Sequence, residues 1–150
     1  MTISEEIQIA ASKSAVWAII TDIENAQQTK SGIESIEVIN KPENGFVGFK
    51  WREGRKMFGK LDYVTMWISE AVENKYYKAA AHSHGSKYLS TFTIEEHNNQ
   101  SLLRMTFEAT AISTGAKIMN GLMSRLIKKS MKKVLQQDLQ DIKTAVEAKG

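Results

Sequence analysis

The sequence predicts an α+β domain in which one face of an antiparallel sheet is covered by a long C-terminal helix. Between about residues 32 and 110, short runs of alternating apolar and polar residues are separated by turn residues, which is typical of consecutive strands. After Gly115 the apolar residues recur at helical spacing almost to the end of the chain. A chain of 150 residues with an apolar share of 42% needs only one core, so residues 1–150 are expected to form a single domain.

A strand and a short amphipathic helix are predicted first. Alternating isoleucines predict a strand that reaches about Ala10; they are Ile3, Ile7 and Ile9. The apolar residues that follow share one helical face, and Ser12 or Ser14 can cap the helix N-terminus. These apolar residues are Val16, Trp17, Ile19, Ile20 and Ile23. A further turn of helix is expected at about residues 26–30.

Six more strands are predicted, at residues 33–40, 46–57, 60–70, 76–84, 87–96 and 102–111. The clearest turn between them contains Pro42 and ends at Gly45, and a hairpin is expected around Phe58 and Gly59. Because the connections are short, consecutive strands should pair as an antiparallel meander.

The C-terminal segment predicts one amphipathic helix of about 30 residues. Its apolar positions are Met119, Leu122, Met123, Leu126, Ile127, Val134, Leu135, Leu139, Ile142 and Val146. The apolar stripe rotates by roughly a quarter turn after Val134, which predicts either a bend or a change of packing partner.

Composition excludes several classes of function. The formal charge of +3 is too small to indicate nucleic-acid binding by itself, and the absence of cysteine excludes disulfides, thiolate chemistry and cysteine-based zinc sites. The first residues lack the pattern of a signal peptide, and no run of about 18 apolar residues predicts a transmembrane helix. We therefore expect a cytoplasmic protein. Nothing in the sequence indicates an oligomeric state.

Three stretches together resemble a known superfamily. They are the opening IQIAASKSAVWAIITDIEN, the segment Phe46 to Gly48 with the basic residues and Gly59 that follow it, and the ending GLMSRLIKKSMKKVLQQDLQDIKTAVE. Their order is similar to the polyketide cyclase/dehydrase and lipid-transport (SRPBCC) superfamily, which includes START domains and the birch-pollen allergen fold, and most similar to its bacterial polyketide-cyclase-like branch. The resemblance implies a helix-grip fold: a curved seven-stranded antiparallel sheet wraps the long helix and leaves an apolar cavity. It transfers no catalytic residue, because catalytic groups differ between branches.

Strand alternation predicts which residues face that cavity. The expected ligand-binding residues are Trp51, Tyr63, Trp67, Tyr77, Ala79, Ala81, Ser83, Tyr88, Ser90, Phe92, Met105, Phe107, Met119 and Met123. Small residues on adjacent strands should leave space, although an ordinary filled core is the alternative interpretation. The strand at residues 60–70 is ambiguous, because Leu61, Tyr63, Thr65 and Trp67 compete with Val64, Met66 and Ile68. We prefer the first set as the inner one.

The histidines are weak candidates for chemistry. His82 and His84 share strand parity with Lys78, which places them in solvent, and His97 is too distant to complete a metal site. Acid/base catalysis by a histidine needs a register shift of one residue. Tyr63, Tyr77 and Tyr88 could hydrogen-bond a ligand, but no paired carboxylates are expected inside the cavity. We therefore assign no catalytic residue and expect neither a metal nor a cofactor.

Binding or transport of a small hydrophobic or amphipathic molecule, such as a lipid or a polyketide-like compound, is the preferred function. A cyclase or dehydratase acting in the same cavity is the alternative, and a protein-interaction module is a third class. One basic run remains: Arg125, Lys128, Lys129, Lys132 and Lys133. It predicts either a solvated helix face or contact with an anionic membrane surface. Nucleic acid is not expected, because no aromatic residues interleave with the lysines.

Overall fold

The computed structural model describes residues 1–149, apart from the side chains of residues 119, 120, 122 and 123. Its strands are β1 (Thr2–Ile9), β2 (Ile33–Asn40), β3 (Lys50–Met57), β4 (Lys60–Val72), β5 (Tyr76–Ser83), β6 (Ser86–His97) and β7 (Gln100–Ala111). Its helices are α1 (Lys13–Ile20), α2 (Ala26–Thr29) and α3 (Thr114–Lys149), with a short 3-10 turn at Ile23–Asn25. The predicted α+β class and the helix-grip architecture are confirmed.

The seven strands form one antiparallel sheet in the order β1-β7-β6-β5-β4-β3-β2. Strands β2 to β6 each pair with the next strand along the chain, as the short connections predict. β1 instead pairs with β7, from Thr2 opposite Glu108 to Ile9 opposite Ser101. Because β1 and β2 lie at opposite edges of the sheet, the segment between them, which contains α1 and α2, crosses from one edge to the other. The Ser12 hydroxyl caps α1 by accepting a hydrogen bond from the Ala15 amide at 3.2 Å.

Three hairpins have two-residue loops in which both residues adopt positive φ. The loop residues are Phe58 and Gly59, His84 and Gly85, and Asn98 and Asn99. Positive φ at both positions is the pattern of type I′ turns, whose twist matches that of the flanking strands. His84 is therefore a turn residue, and the strand predicted at residues 76–84 ends one residue earlier than expected.

Two strand boundaries differ from prediction near the β3–β4 pair. β3 begins at Lys50, because residues 46–49 form a turn in which Gly48 has φ +94° and the Phe49 amide bonds the Phe46 carbonyl. β4 is longer than predicted and contains a bulge between Ile68 and Glu70.

The core lies between the inner face of the sheet and the C-terminal half of α3. Leu135, Leu139, Ile142 and Val146 on the helix are almost completely buried, and they join Ile9, Val16 and Leu103 in the main cluster. In the N-terminal half of α3, by contrast, Ile118 and Leu126 are exposed. The change in burial falls near Val134, where the sequence predicts either a bend or a change of packing partner. Among the described residues, no helix combines the length and apolar character needed to cross a membrane.

The prediction that Leu61, Tyr63, Thr65 and Trp67 form the inner face of β4 is wrong. Met66 pairs with both Trp51 and Ala81, so Val64, Met66 and Ile68 lie on the inner face. Tyr63, Thr65 and Trp67 point to the outer face. Leu61, near the start of β4, lines the space between the sheet and α3. The misassignment is explained by partners from neighbouring strands. The Arg52 guanidinium lies 4.2 Å from the centre of the Tyr63 ring, and Trp67 packs edge-on against His82 with ring centres 5.5 Å apart.

Candidate functional site

A cavity of about 710 Å³ lies between the inner face of the sheet and α3. This volume falls within the range of about 300–1,000 Å³ that is usual for sites binding small molecules. Phe58 and Leu61 line the cavity although both are largely exposed, so its mouth lies beside the β3–β4 hairpin. Ile127, Met131 and Val134 of α3 line it from the helix side.

Most of the predicted ligand-binding residues line this cavity. They are Trp51, Tyr77, Ala79, Ala81, Tyr88, Ser90, Phe92, Met105 and Phe107. The space arises where small residues lie on neighbouring strands, since Ala79 lies opposite Ser90 and Ala81 follows two residues later on the same face. Alternation found these residues because the opposite parity of the same strands carries Lys78, Lys87 and other polar groups.

Five predicted residues are not placed at the cavity. Tyr63 and Trp67 lie on the outer face of the sheet, with Tyr63 42% exposed. Ser83 pairs with Ser86 next to the hairpin turn and does not line the cavity. Met119 and Met123 lie outside the side chains that the structure describes, and their role stays a prediction.

A cluster of charged side chains on the cavity wall was not predicted. Arg55 donates two hydrogen bonds to Asp138, from Nη1 to Oδ1 at 3.1 Å and from Nη2 to Oδ2 at 2.8 Å. Its Nε donates to Glu53 Oε2 at 2.7 Å, and Trp51 Nε1 donates to Glu53 Oε1 at 3.3 Å. The Asp138 side chain is only 1% exposed. The expectation that no paired carboxylates face the cavity is therefore wrong.

The signal for this cluster was present in the sequence. Continuing the alternation of β3 beyond Trp51 places Glu53 and Arg55 on the inner face. In α3, Asp138 interrupts the apolar stripe between Leu135 and Leu139, where a carboxylate is expected only if it has a partner. The pairing of Arg55 with Asp138 joins residues that are distant in the chain, so spacing alone does not reveal it.

Mutual pairing keeps Glu53 and Arg55 charged in spite of their burial. Burial by itself would raise the pKa of Glu53, but the charges of Arg55 and Lys30 and the hydrogen bonds from Arg55 and Trp51 hold it below its ordinary value. Burial would likewise lower the pKa of Arg55, and the two carboxylates raise it instead. The cluster therefore gives an otherwise apolar cavity one strongly polar wall.

The Tyr77 hydroxyl is committed to the fold. It donates to the Ile20 carbonyl oxygen at 3.2 Å, and the side chain is buried. Burial raises the pKa of Tyr77 far above its ordinary value, with the charges of Glu53 and Asp138 adding to the effect. Tyr77 therefore connects β5 to the end of α1 and stays protonated, so its donor is not free for a ligand. Tyr88 stacks on Phe107 with ring centres 5.6 Å apart.

The two histidines of the β5–β6 hairpin lie on different parts of the surface. His82 is on the outer face, as predicted. His84 is also exposed, but it lines the mouth of the cavity, where its Nε2 lies 3.0 Å from Asp62 Oδ2. Within the described part of the chain, no group of three or more His, Asp or Glu side chains could hold a metal ion.

The lowered pKa of Glu53 predicts how stability depends on pH. A carboxylate whose pKa is lower in the folded state than its ordinary value of 4.5 adds stability that is complete above that value and lost as pH falls through the folded-state pKa. We expect the free energy of unfolding to decrease from about pH 5 downwards, as measured by urea unfolding at a series of pH values.

The matched variant Glu53→Gln keeps the size of the side chain but cannot titrate. Its free energy of unfolding should therefore fall less steeply over the same acidic range. Glu147, whose pKa is also lowered by the Ala10 amide and Lys143, is present in both proteins and contributes equally to them. Identical slopes for the two proteins would contradict the assignment to Glu53.

Comparisons with known proteins agree with this architecture. Residues 1–147 match the family described as polyketide cyclase/dehydrase and lipid transport. No curated protein matches the sequence.

Solved structures that share the fold have low sequence identity. A protein from Thermus thermophilus has a TM-score of 0.85 at 18% identity, covering 100% of this chain and 99% of its own. The Zhui aromatase/cyclase of a Streptomyces species has a TM-score of 0.83 at 10% identity, covering 98% and 93%. A START superfamily protein from Mycobacterium smegmatis has a TM-score of 0.79 at 17% identity, covering 99% of each chain. At such identities the structural similarity establishes the fold alone. The family match spans almost the whole chain, and this protein therefore belongs to the polyketide cyclase/dehydrase and lipid transport family.

Proposed function

We propose that this chain binds a small amphipathic molecule, such as a lipid or a polyketide-like compound, in the cavity between the sheet and α3. The observation that carries the proposal is the combination of a 710 Å³ apolar cavity with one charged wall. The apolar lining favours a ligand with a hydrophobic body, because removing apolar surface from water drives association. The few polar groups on the wall would then set the orientation of that ligand.

Native mass spectrometry of the purified protein, followed by lipid extraction, tests the proposal most directly. We expect an additional mass bound one to one, released by organic solvent, or saturable binding of the neutral apolar dye Nile red. A protein that carries no apolar compound and binds no apolar dye would overturn the proposal.

A cyclase- or dehydratase-type activity is the second candidate. It is favoured by Glu53, Arg55 and Asp138 on the cavity wall, and one structural neighbour is an aromatase/cyclase. Ion pairing argues for binding over catalysis, since a carboxylate whose pKa is lowered is a weaker general base. Incubation with a poly-β-ketone, with and without protein, followed by liquid chromatography and mass spectrometry separates the two. A carrier returns the compound as it is found without protein, cyclisation alone gives an isomer of equal mass and different retention, and dehydration removes the mass of one water.

Contact with an anionic membrane surface during loading or release is proposed for the basic run on α3. The five basic residues of the run, Arg125, Lys128, Lys129, Lys132 and Lys133, are all exposed. Exposed apolar residues accompany them, namely Ile118 and Leu126 on the same helix and Phe58 at the mouth of the cavity. Lys132 also approaches Glu5, with Nζ 3.7 Å from Oε1, so part of its charge is used within the fold.

Replacing Lys128, Lys129, Lys132 and Lys133 by Gln is expected to weaken binding to phosphatidylserine vesicles by roughly a thousandfold, because each cation near such a surface contributes about 1 kcal/mol. Vesicle co-sedimentation at low salt measures this. A matched control replaces four exposed lysines elsewhere, Lys13, Lys50, Lys75 and Lys87, and changes the net charge by the same amount. Equal loss in both variants, or no binding by the unmodified protein, would refute the membrane proposal.

A further inference from the structure

Lys30 is a nearly buried lysine on the cavity wall. The residue is only 9% exposed, and it lines the cavity with its Nζ 5.2 Å from the centre of the Phe92 ring. Its position is fixed by the backbone at the end of α2. The Lys30 amide donates a hydrogen bond to the Ala26 carbonyl oxygen at 2.8 Å, and the Lys30 carbonyl oxygen accepts one from the Ile33 amide at 3.2 Å. The side chain is therefore directed inward by a fixed piece of chain.

The ammonium of Lys30 has no ion-pair or hydrogen-bond partner among the described residues. The carboxylates that share the cavity already have close partners: Glu53 accepts from Arg55 and Trp51, and Asp138 accepts two hydrogen bonds from Arg55. Asp62, at the mouth, pairs with His84. The charge of Lys30 acts on Glu53 without direct contact, and its Nζ lies over the face of the Phe92 ring, a weak partner compared with an oxygen acceptor.

A buried ammonium without an acceptor is unfavourable, because lysines are rarely buried unless they are paired. The cavity supplies the volume in which an acceptor can sit, and Phe92 places an apolar surface beside it. A ligand with an oxygen atom at one end can fit this site, because the oxygen accepts a hydrogen bond from the ammonium and the apolar body packs against the surrounding apolar wall.

We propose that Lys30 anchors the head of the ligand by donating hydrogen bonds to an acceptor oxygen, a carbonyl or a carboxylate, while the apolar body of the ligand fills the cavity. This inference rests on the proposed binding function and specifies the class of ligand: apolar compounds with an acceptor oxygen, in preference to plain hydrocarbons of equal length. A carboxylate would form a contact ion pair with Lys30. A carbonyl would leave the formal charge of the wall unchanged, since Lys30 and Arg55 balance Glu53 and Asp138.

The test compares Lys30→Met with the unmodified protein by competition against Nile red. Three competitors of similar chain length are used: lauric acid, its methyl ester and dodecane. We expect Lys30→Met to weaken binding of the acid alone, or of the acid and the ester, by roughly tenfold or more, since hydrogen bonds to a charged donor are stronger than neutral ones. Binding of dodecane, which has no acceptor oxygen, should change by less than about twofold. Nile red itself carries a carbonyl, so its dissociation constant is measured for each variant and used to correct the competition data.

Controls separate an anchoring role from a structural one. Met has similar length, and Lys30→Met removes both a buried charge and its attraction for Glu53, so the variant is expected to fold with a melting temperature close to that of the unmodified protein. Lys30→Arg keeps a donor and should restore part of the preference for the oxygenated ligands. Lys50→Met, at an exposed site on the outer face of β3, should bind all three competitors as the unmodified protein does.

Each outcome has one interpretation. Loss of the acid alone identifies a carboxylate ligand, and loss of both oxygenated compounds shows that a carbonyl oxygen is sufficient. Equal weakening of all three competitors, or no change in any, would overturn the anchoring role while leaving the proposed binding function in place. If the unmodified protein bound neither dye nor competitors, the binding function itself would fail, and the inference about Lys30 would fail with it.

Discussion

Replacing Asp138 by alanine is expected to lower the free energy of unfolding by about 3–5 kcal/mol, because it removes one partner of a buried ion pair and leaves Arg55 with an incomplete set of acceptors. The Asp138 side chain is almost fully buried and accepts two hydrogen bonds from Arg55. Urea unfolding followed by circular dichroism measures the loss. A change below about 1 kcal/mol would contradict this account of the cluster.

Two controls show whether the burial of the Asp138 ion pair causes the loss of stability. Asp141→Ala removes a helix carboxylate one turn away that accepts from the Ser31 amide and hydroxyl at a half-buried position. Its cost should be only about 1 kcal/mol. The triple variant Glu53→Leu, Arg55→Met and Asp138→Leu replaces the whole cluster by apolar residues. It should recover most of the stability that Asp138→Ala loses, because the burial of charge is removed together with its compensation.

Filling the cavity is expected to abolish ligand binding without unfolding the protein. Ala81→Phe places a large ring where β4, β5 and β6 leave space, between Met66 and Tyr88. We expect the affinity for Nile red to fall by at least about tenfold, with a stability cost of about 1–3 kcal/mol for overpacking. Fluorescence titration measures the affinity, and circular dichroism verifies the fold.

The matched control for this variant is Ala80→Phe. Ala80 is the preceding residue of β5 and lies opposite Trp67 and Leu89, so its side chain is on the other face of the sheet. Ala80→Phe makes the same chemical change outside the cavity and should retain dye binding. If both alanine variants bound Nile red equally well, the ligand would have to bind somewhere other than this cavity.

The sequence predicted the strands well where their two faces differ in polarity. In β5, β6 and β7 one parity is small or apolar and the other carries lysine, arginine, threonine or glutamate, so alternation gave the correct inner face. In β4 both parities carry large apolar side chains. On the outer face, Tyr63 packs against Arg52 and Trp67 packs against His82, both from neighbouring strands. No pattern within β4 predicts these contacts.

The charged wall of the site was missed for a related reason. A charged residue is usually assigned to solvent, and this rule fails when its partner comes from a distant segment. Arg55 on β3 meets Asp138 on α3, and Lys30 enters the same space from α2. These residues are brought together only by the complete fold. The apolar part of the cavity could therefore be predicted from the sequence, while its polar part could be identified only from the folded structure.

The pairing of β1 with β7 has a consequence for synthesis on the ribosome. β2 to β7 can form one after another as local hairpins, but β1, which is made before these six strands, pairs with β7. Leu135, Leu139 and Ile142, which cover the apolar face, emerge later still. We therefore expect the growing chain to expose the hydrophobic inner face of the sheet until α3 has emerged from the ribosome. The surface that later lines the cavity is then the one most in need of protection from aggregation.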